Sequence, residues 1–338
     1  MAKTETAHPL CKVAANRRRA AILVDTRFPP KGKRVSPLTV PVPGASIPAA
    51  IFGRGGRMQR TVNTAAVVPV LAGLIQKACY ELGDDVVSAF RAAEQREESP
   101  YGRDTLRTLL DNAAYAKEAQ IACCQDTGAC VVALEVGQEV SWTGAPLADA
   151  VNEGVRKGYG EGYLRKSLVR DPLDRVNTGD NTPAMLHAEI VAGDRVHITV
   201  LPKGGGSENM SALAVLVPSA GEEGVRDFVL KTVEAAGGKP CPPCVVGVGI
   251  GGTADVCAWL AKKAHLRPIG ERNPDPRYAA LERDLLERIN DLGIGPMGTG
   301  GRITALDVHI EQYPCHITSL PVAVNFQCHS ARRASAWI

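Results

Sequence analysis

The sequence of 338 residues is poor in aromatic side chains and has no long apolar segment. Phe, Trp and Tyr make up 4% of it, and no uninterrupted apolar run reaches the roughly 18 residues of a membrane-spanning helix. We therefore expect no membrane-embedded segment. No secretory signal is recognisable, so the 10 cysteines favour free thiols in a reducing, cytoplasmic compartment over disulfide bonds.

The net charge of +3 hides an uneven distribution along the chain. Residues 1–57 hold eleven Lys or Arg against Glu5 and Asp25, which leaves the rest of the chain mildly acidic. An acidic body gives no reason to expect nucleic-acid binding.

The chain divides into three predicted parts. Residues 1–57 contain seven prolines and two basic clusters, without a sustained hydrophobic period, and we expect a disordered extension without function. A transit peptide, or upstream sequence read before a natural start at Met58, would look the same. Residues 58–332 form the predicted catalytic domain, and residues 333–338 a short tail.

Hydrophobic periodicity predicts helices first, then a mixture of strands and helices. Three helices from Thr61 onwards lead to Cys124, and two strands at 185–191 and 196–201 are joined by Gly193-Asp194, a hairpin pattern. The other predictions are strands at 130–136, 245–250 and 305–311 and helices at 146–163, 225–236, 253–263 and 277–292. Because strands and helices do not alternate strictly, we predict an α+β (irregular α/β) fold.

Three cysteines stand at junctions between predicted elements. Cys124 follows a helix, Cys241 precedes a buried strand, and Cys328 follows one. Thiolates brought together by folding would favour an iron–sulfur cluster. Three of them would leave one iron of a cubane free to act as a Lewis acid. Ten cysteines allow many such triples, so inert buried thiols remain the alternative.

Two glycine- or cysteine-rich patterns support other interpretations. Cys241-Pro-Pro-Cys244 has the spacing of half a zinc site or of a redox pair, although no second pair exists and a strand follows it. Gly247–Gly252 matches the G-x-G-x-x-G pattern, which would indicate a nucleotide-dependent oxidoreductase.

Three further positions have chemistry that suits an anionic substrate. The loop Lys203–Ser207 resembles a nest of backbone N–H groups. Arg165, near a predicted helix end, could hold a carboxylate through two hydrogen bonds, and His316 could act as a general acid or base. Each residue type is also common in purely structural roles.

Taken together, these segments resemble a known family. Cys124–Gly128, Asn177–Pro183, Lys203–Asn209, Cys241-Pro-Pro and Val246–Gly252 are similar, in the same order, to motifs of the class I (iron–sulfur) fumarate hydratases. The likeness is to the separate α subunit of the two-subunit form and extends to the L-tartrate dehydratase α subunit. It runs from about Met58 to Cys328, and the asparagine-rich turn and glycine loop are nearer to the fumarase branch.

The resemblance implies a [4Fe-4S] hydro-lyase of the tricarboxylic acid cycle that interconverts fumarate and (S)-malate. It implies Cys124, Cys241 and Cys328 as cluster ligands, and Asp126 and His316 as catalytic residues. It also implies that Gln125, Asp126, Arg165 and Gly206 bind the substrate. Cys123 is an extra thiol beside the first ligand.

The resemblance also implies a partner. In this family a β domain or β subunit supplies further carboxylate-binding and proton-transfer residues, and we expect this chain to need such a subunit, with α2β2 as the expected assembly. The alternatives are an L-tartrate dehydratase or another hydroxy-diacid dehydratase α subunit, the oxidoreductase above, and a redox-sensing cluster protein.

Overall fold

The computed structural model describes residues 59–338, so the predicted N-terminal extension lies outside the described residues. The longer helices lie close to the predicted positions. In one of them, the Ser99 side chain caps the first turn and Pro100 is the first helical residue. The α-helices of this part of the chain are α1 (Val67–Tyr80), α2 (Asp84–Arg96), α3 (Pro100–Ala119), α4 (Leu147–Glu161), α5 (Gly205–Glu208), α6 (Gly221–Ala236), α7 (Ala254–Lys263) and α8 (Pro276–Asn290).

The strands complete an α+β fold, as predicted. Those of residues 59–338 are β1 (Arg60–Asn63), β2 (Ala129–Gly137), β3 (Val140–Thr143), β4 (Met185–Val191), β5 (Val196–Lys203), β6 (Ala212–Leu216), β7 (Cys244–Gly251), β8 (Ala305–Tyr313), β9 (Leu320–Gln327) and β10 (Ala334–Trp337). The short strands β1, β3 and β6 were not predicted, and the helix expected from Thr61 begins only at Val67, after β1 and a single 3-10 turn. The side chains of β6 alternate between half-buried and exposed, so its pattern is weak.

Two four-stranded sheets carry the fold, and β1 pairs with β3 as a small separate ribbon. The first sheet has the order β10-β5-β2-β4, and the second has the order β6-β9-β7-β8. In each sheet, one pair is parallel and the other pairs are antiparallel. This mixture follows from the irregular order of helices and strands along the chain.

The predicted hairpin of β4 and β5 is wrong. Strand β2 lies between them, parallel to β4 and antiparallel to β5. Gly193-Asp194 therefore carries the chain across the end of β2, where Gly137 N donates to Arg195 O at 2.9 Å and Gln138 N to Val191 O at 2.8 Å. A turn pattern in the sequence indicates that the chain reverses direction. It does not show whether the two strands pair with each other or with a third strand between them.

The predicted tail at 333–338 is also wrong. Residues 334–337 form β10, which pairs with β5 at the edge of the first sheet. Trp337 stacks on His197 with ring centroids 4.4 Å apart, and Arg195 lies over its indole. The segment between β9 and β10 thus connects the second sheet to the first, which matters for the position of Cys328.

Helices cover the sheets and build the cores. Helices α1 and α4 pack on the first sheet, while α6 and α8 pack on one face of the second. Helices α2 and α3 bury a third cluster that includes Ala331 of the β9–β10 connection. By length and composition, the segment Thr64–Arg96 could cross a membrane. However, the segment is not one continuous helix, because α1 ends at Tyr80 and α2 begins at Asp84. Leu71 and Ile75 are also fully buried in the protein core.

The glycines of the G-x-G-x-x-G pattern serve packing. Gly247 and Gly249 lie inside β7, where α7 crosses so closely that an added Cβ would be 2.1 Å from Ala261 O or Cys257 O, respectively. Only glycine allows backbone to approach backbone in this way. Helix packing therefore explains these two glycines of the G-x-G-x-x-G pattern, and no bound dinucleotide is needed to explain them.

Replacing Gly247 by alanine should destabilise the protein by about 3 kcal/mol or more, because a backbone carbonyl cannot rotate away from the new methyl group. The midpoint of urea unfolding would measure the change. Gly160→Ala is the matched control, since Gly160 is exposed in α4 with no atom within 4 Å of the added Cβ. It should stabilise by about 0.5–1 kcal/mol. Equal effects of both variants would contradict the packing role.

Candidate functional site

The candidate site lies where strand ends of the two sheets come together. The loop with Cys124 leads into β2, whose first residue pairs with Lys203 at the end of β5. Cys241 leads into β7, whose start pairs with Gln327 at the end of β9, directly before Cys328. His329 N donates to Cys241 O at 3.1 Å and joins two of these loops.

The structure places the three predicted cysteine ligands close enough for Cys124 and Cys328 to act on the charge of Cys241. Burial raises the pKa of Cys241, and the charges of Cys328, Cys124 and Asp126 raise it further. The backbone of Cys241 adopts φ = 57°, a conformation that is uncommon for a residue with a side chain. Cys328 is 8% exposed, with its Sγ 3.0 Å from Ser330 Oγ.

Asp126 is held by backbone donors from two loops. Its Oδ1 accepts from Gly128 N at 3.0 Å, and its Oδ2 accepts from Gly205 N at 2.7 Å. The nest predicted at Lys203–Ser207 thus engages a carboxylate of the chain itself. Gly128 has φ = 70°, and a Cβ there would be 2.2 Å from Lys203 O, so only glycine permits this approach.

Lys203 is committed to a buried network beside the cysteines. Its Nζ donates to Ser207 Oγ at 2.7 Å and lies 3.3 Å from Glu208 Oε2. Burial lowers the pKa of Lys203 to about 8, although Glu208 and Cys328 oppose that shift. Burial alone would raise the pKa of Glu208, but Lys203, Lys262 and Asn325 outweigh it and bring that pKa to about 2.

A cavity of about 590 Å³ opens next to Asp126 and is also lined by Arg165, Ser167 and Lys203. Among residues 59–338, Arg165 has no hydrogen bond or ion pair through its guanidinium, whereas Lys203 and Lys262 both engage Glu208. Arg165 is exposed, so its five N–H donors are free for a carboxylate.

Buried side chains fix the loops around this cavity. The Tyr159 hydroxyl is shared between Thr127 O at 2.9 Å and Gly128 O at 3.0 Å. Asn181 is fully buried, donates to Gly128 O at 3.0 Å and accepts from Ser167 N at 2.6 Å. The asparagine-rich turn therefore holds the loops that carry Asp126 and Arg165.

Three other predicted site residues occupy different positions. Gln125 and Gly206 are exposed neighbours of Asp126 and Gly205. His316 follows β8, at the end where Tyr313 pairs with Gly251, whereas Cys241 lies before the opposite end of β7. A strand of 8 residues at about 3.3 Å each puts these ends roughly 20 Å apart. Within one chain, His316 does not reach the cysteine pocket, and its catalytic role stays a prediction.

Sequence reasoning missed the polar residues that surround Cys328. Gln327 is 2% exposed and Arg332 is 1% exposed. Their side-chain nitrogens, the Gln327 carbonyl oxygen and His329 Nδ1 lack hydrogen-bond partners among residues 59–338. Burial lowers the pKa of His329 to about 4. A run of polar residues directly after the apolar strand 322–326 was the available signal.

The other cysteine interpretations find less support. Cys244 is buried in β7 and directs its Sγ to Pro240 O, and burial raises the pKa of Cys123 to about 11. In the described part of the chain, no three His, Cys, Asp or Glu side chains are arranged to hold a single metal ion.

Comparison with known proteins agrees with this architecture. Residues 69–337 match the family described as fumarate hydratase (Fumerase). A Methanocaldococcus jannaschii protein named putative L(+)-tartrate dehydratase subunit alpha is 48% identical over 271 residues, which are 78% of this chain and 95% of that protein. The L(+)-tartrate dehydratase subunit alpha of Escherichia coli is 34% identical over 281 residues, or 82% and 91%. Because the family match spans most of the chain, this protein belongs to the class I fumarate hydratase family.

Proposed function

We propose that this chain is the α subunit of an iron–sulfur hydro-lyase that removes water from a four-carbon hydroxy-diacid. The observation that carries the proposal is the meeting of Cys124, Cys241 and Cys328 beside a cavity lined by Asp126 and Arg165. The three cysteines thus offer soft metal ligands near Asp126, and the cavity offers the free cation of Arg165 for a carboxylate. A reducing, cytoplasmic location suits such thiols.

The residues present fit a [4Fe-4S] cluster. Three thiols come from three separate loops, and the buried guanidinium of Arg332 next to them has no partner among residues 59–338. A buried cation of this kind calls for an anion, and a cluster bound by thiolates supplies one. When bound, the cluster provides an iron without a cysteine ligand, which is a Lewis acid for the substrate hydroxyl.

The chain's own residues would bind and orient the substrate. Arg165 would hold one carboxylate, and the backbone at Gly206 would contact the diacid. Asp126 is fixed by Gly128 and Gly205, so it can receive or hold a proton without moving. Gln125 is adjacent to it and exposed. The remaining carboxylate-binding and proton-transfer groups would come from a β subunit, with α2β2 as the proposed assembly.

L(+)-tartrate is the first candidate substrate, and fumarate is the second. Both relatives compared above carry L(+)-tartrate dehydratase in their names, which supports L(+)-tartrate ahead of our sequence-based expectation of fumarate. Fumarate and (S)-malate remain the second candidate, because Asn177–Pro183 and Lys203–Asn209 resemble the fumarase branch.

The test is anaerobic co-expression with a candidate β subunit, followed by iron and sulfide analysis and two assays. Dehydration of L(+)-tartrate is followed as oxaloacetate, and hydration of fumarate as loss of its ultraviolet absorbance. We expect a brown complex with one clear substrate preference, and no turnover by this chain alone. An iron-free complex that retains NAD would instead support the oxidoreductase.

A further inference from the structure

Arg332 is almost completely buried and yet unpaired. It is 1% exposed, and none of its Nε, Nη1 and Nη2 atoms has an oxygen or nitrogen partner in residues 59–338, which leaves the neutral thiol of Cys79 as its polar neighbour. A guanidinium without counter-charge is among the most costly groups to bury. The adjacent Arg333 shows the usual solution, because its Nη2 donates to Asp85 Oδ2 at 2.9 Å.

The titratable groups that act on Arg332 are thiols. The groups that act most strongly on its charge are the thiols of Cys328, Cys79, Cys123 and Cys124, which include two of the three proposed cluster ligands. On its other side, Nη2 lies 3.4 Å from the position of a Cβ built on Gly204, and Asp126 Oδ2 lies 3.2 Å from the same position. Arg332 therefore lies between the thiols and the loop that holds Asp126.

The segment that carries Cys328 holds a second unsatisfied group of the same kind. Gln327 is 2% exposed, and neither its Nε2 nor its Oε1 has a partner in the described part of the chain. Native proteins leave few buried polar atoms unpaired. Two such side chains around one cysteine, one of them charged, indicate that a bound anion completes this pocket.

We propose that Arg332 is the counter-charge of the iron–sulfur cluster, a positioning residue that donates hydrogen bonds to its anionic sulfur and retains it in the protein. The inference depends on the proposed cluster. Hydrogen bonds to sulfur and nearby positive charge stabilise the reduced form, so Arg332 would also raise the reduction potential. It is buried and does not line the cavity beside Asp126, so the proposed role is not substrate binding.

The test replaces Arg332 by methionine, which has a similar unbranched shape without the charge. In the anaerobic complex, iron loss to a chelator should become about 10- to 100-fold faster, as for other groups that support metal ligands. The reduction potential, followed by electron paramagnetic resonance, should fall. After iron removal, Arg332→Met should be at least as stable as the wild type, because an unpaired buried charge is gone.

Two further variants separate charge from packing. Arg332→Lys keeps the charge and should keep a potential close to that of the wild type, while it releases iron at an intermediate rate. Arg333→Met removes a paired neighbour, so it should lower the stability of the iron-free protein and leave iron retention and potential unchanged.

The outcomes distinguish this inference from the proposed function. Wild-type iron retention and potential in Arg332→Met, with a less stable iron-free protein, would reduce Arg332 to a packing residue and leave the cluster in place. A wild-type complex that takes up neither iron nor sulfide would reject the cluster and the role of Arg332 together.

Discussion

Replacing any one of Cys124, Cys241 and Cys328 by serine should remove nearly all iron and sulfide from the anaerobically purified complex. A serine hydroxyl is a hard donor that remains protonated at neutral pH, whereas a cluster requires thiolates. Each of the three loops supplies one of these cysteines, so neither remaining cysteine can take the place of the lost ligand. Iron and sulfide analysis, with the visible absorbance of the cluster, measures the effect.

Cys257→Ser is the matched control for these variants. Cys257 is more buried than any of the three, and it lies between α7 and β7 and directs its Sγ to Gly249 O. It should keep the full iron content. Cys79 is a less suitable control, because it is one of the thiols that act on the charge of Arg332. Full iron retention in Cys328→Ser would refute the ligand assignment.

Replacing Asp126 by asparagine should lower turnover by the complex about 10²- to 10⁴-fold, the range typical of a lost acid or base, with little change in iron content. Both carboxylate oxygens accept backbone N–H groups. An amide has only one accepting oxygen, so its NH₂ group would face one of these donors. Steady-state kinetics and iron analysis of the same preparation test the prediction.

Asp255→Asn is the control for the change from acid to amide. Asp255 is an exposed residue in the first turn of α7 and accepts from Thr253 Oγ1 at 2.6 Å. Its substitution should leave turnover close to that of the wild type. If Asp126→Asn lost iron together with activity, Asp126 would be a structural support of the pocket and not a catalytic group.

Much of the secondary structure could be predicted because its causes are local. Ser99 and Pro100 begin α3 through capping and a preset φ, and the apolar run 245–250 is buried as a strand wherever it pairs. Strand pairing was not predictable in the same way. β2 entered between β4 and β5 because its apolar side chains could be buried there, and no turn residue encodes that choice.

The residues of the candidate site also differ in how far the sequence could predict them. Short motifs with a recognisable composition contain Cys124, Asp126, Arg165 and Cys241. No such motif marks Arg332, because a basic residue near the end of a chain is usually solvated. Its role is indicated only by its burial near the thiols. His316 shows the reverse case, since a motif marked it and the sheet carried it to the far end.

By itself, the sequence determined which segments form helices and strands and which side chains carry the chemistry, because periodicity, capping and donor type are properties of neighbouring residues. Only the tertiary structure decided that β10 joins the first sheet, that three cysteines share a pocket, and that one arginine is buried there without a partner. Those facts depend on contacts between residues some 80 to 200 positions apart in the chain. Which of these contacts form is settled by the burial of apolar surface across the whole fold.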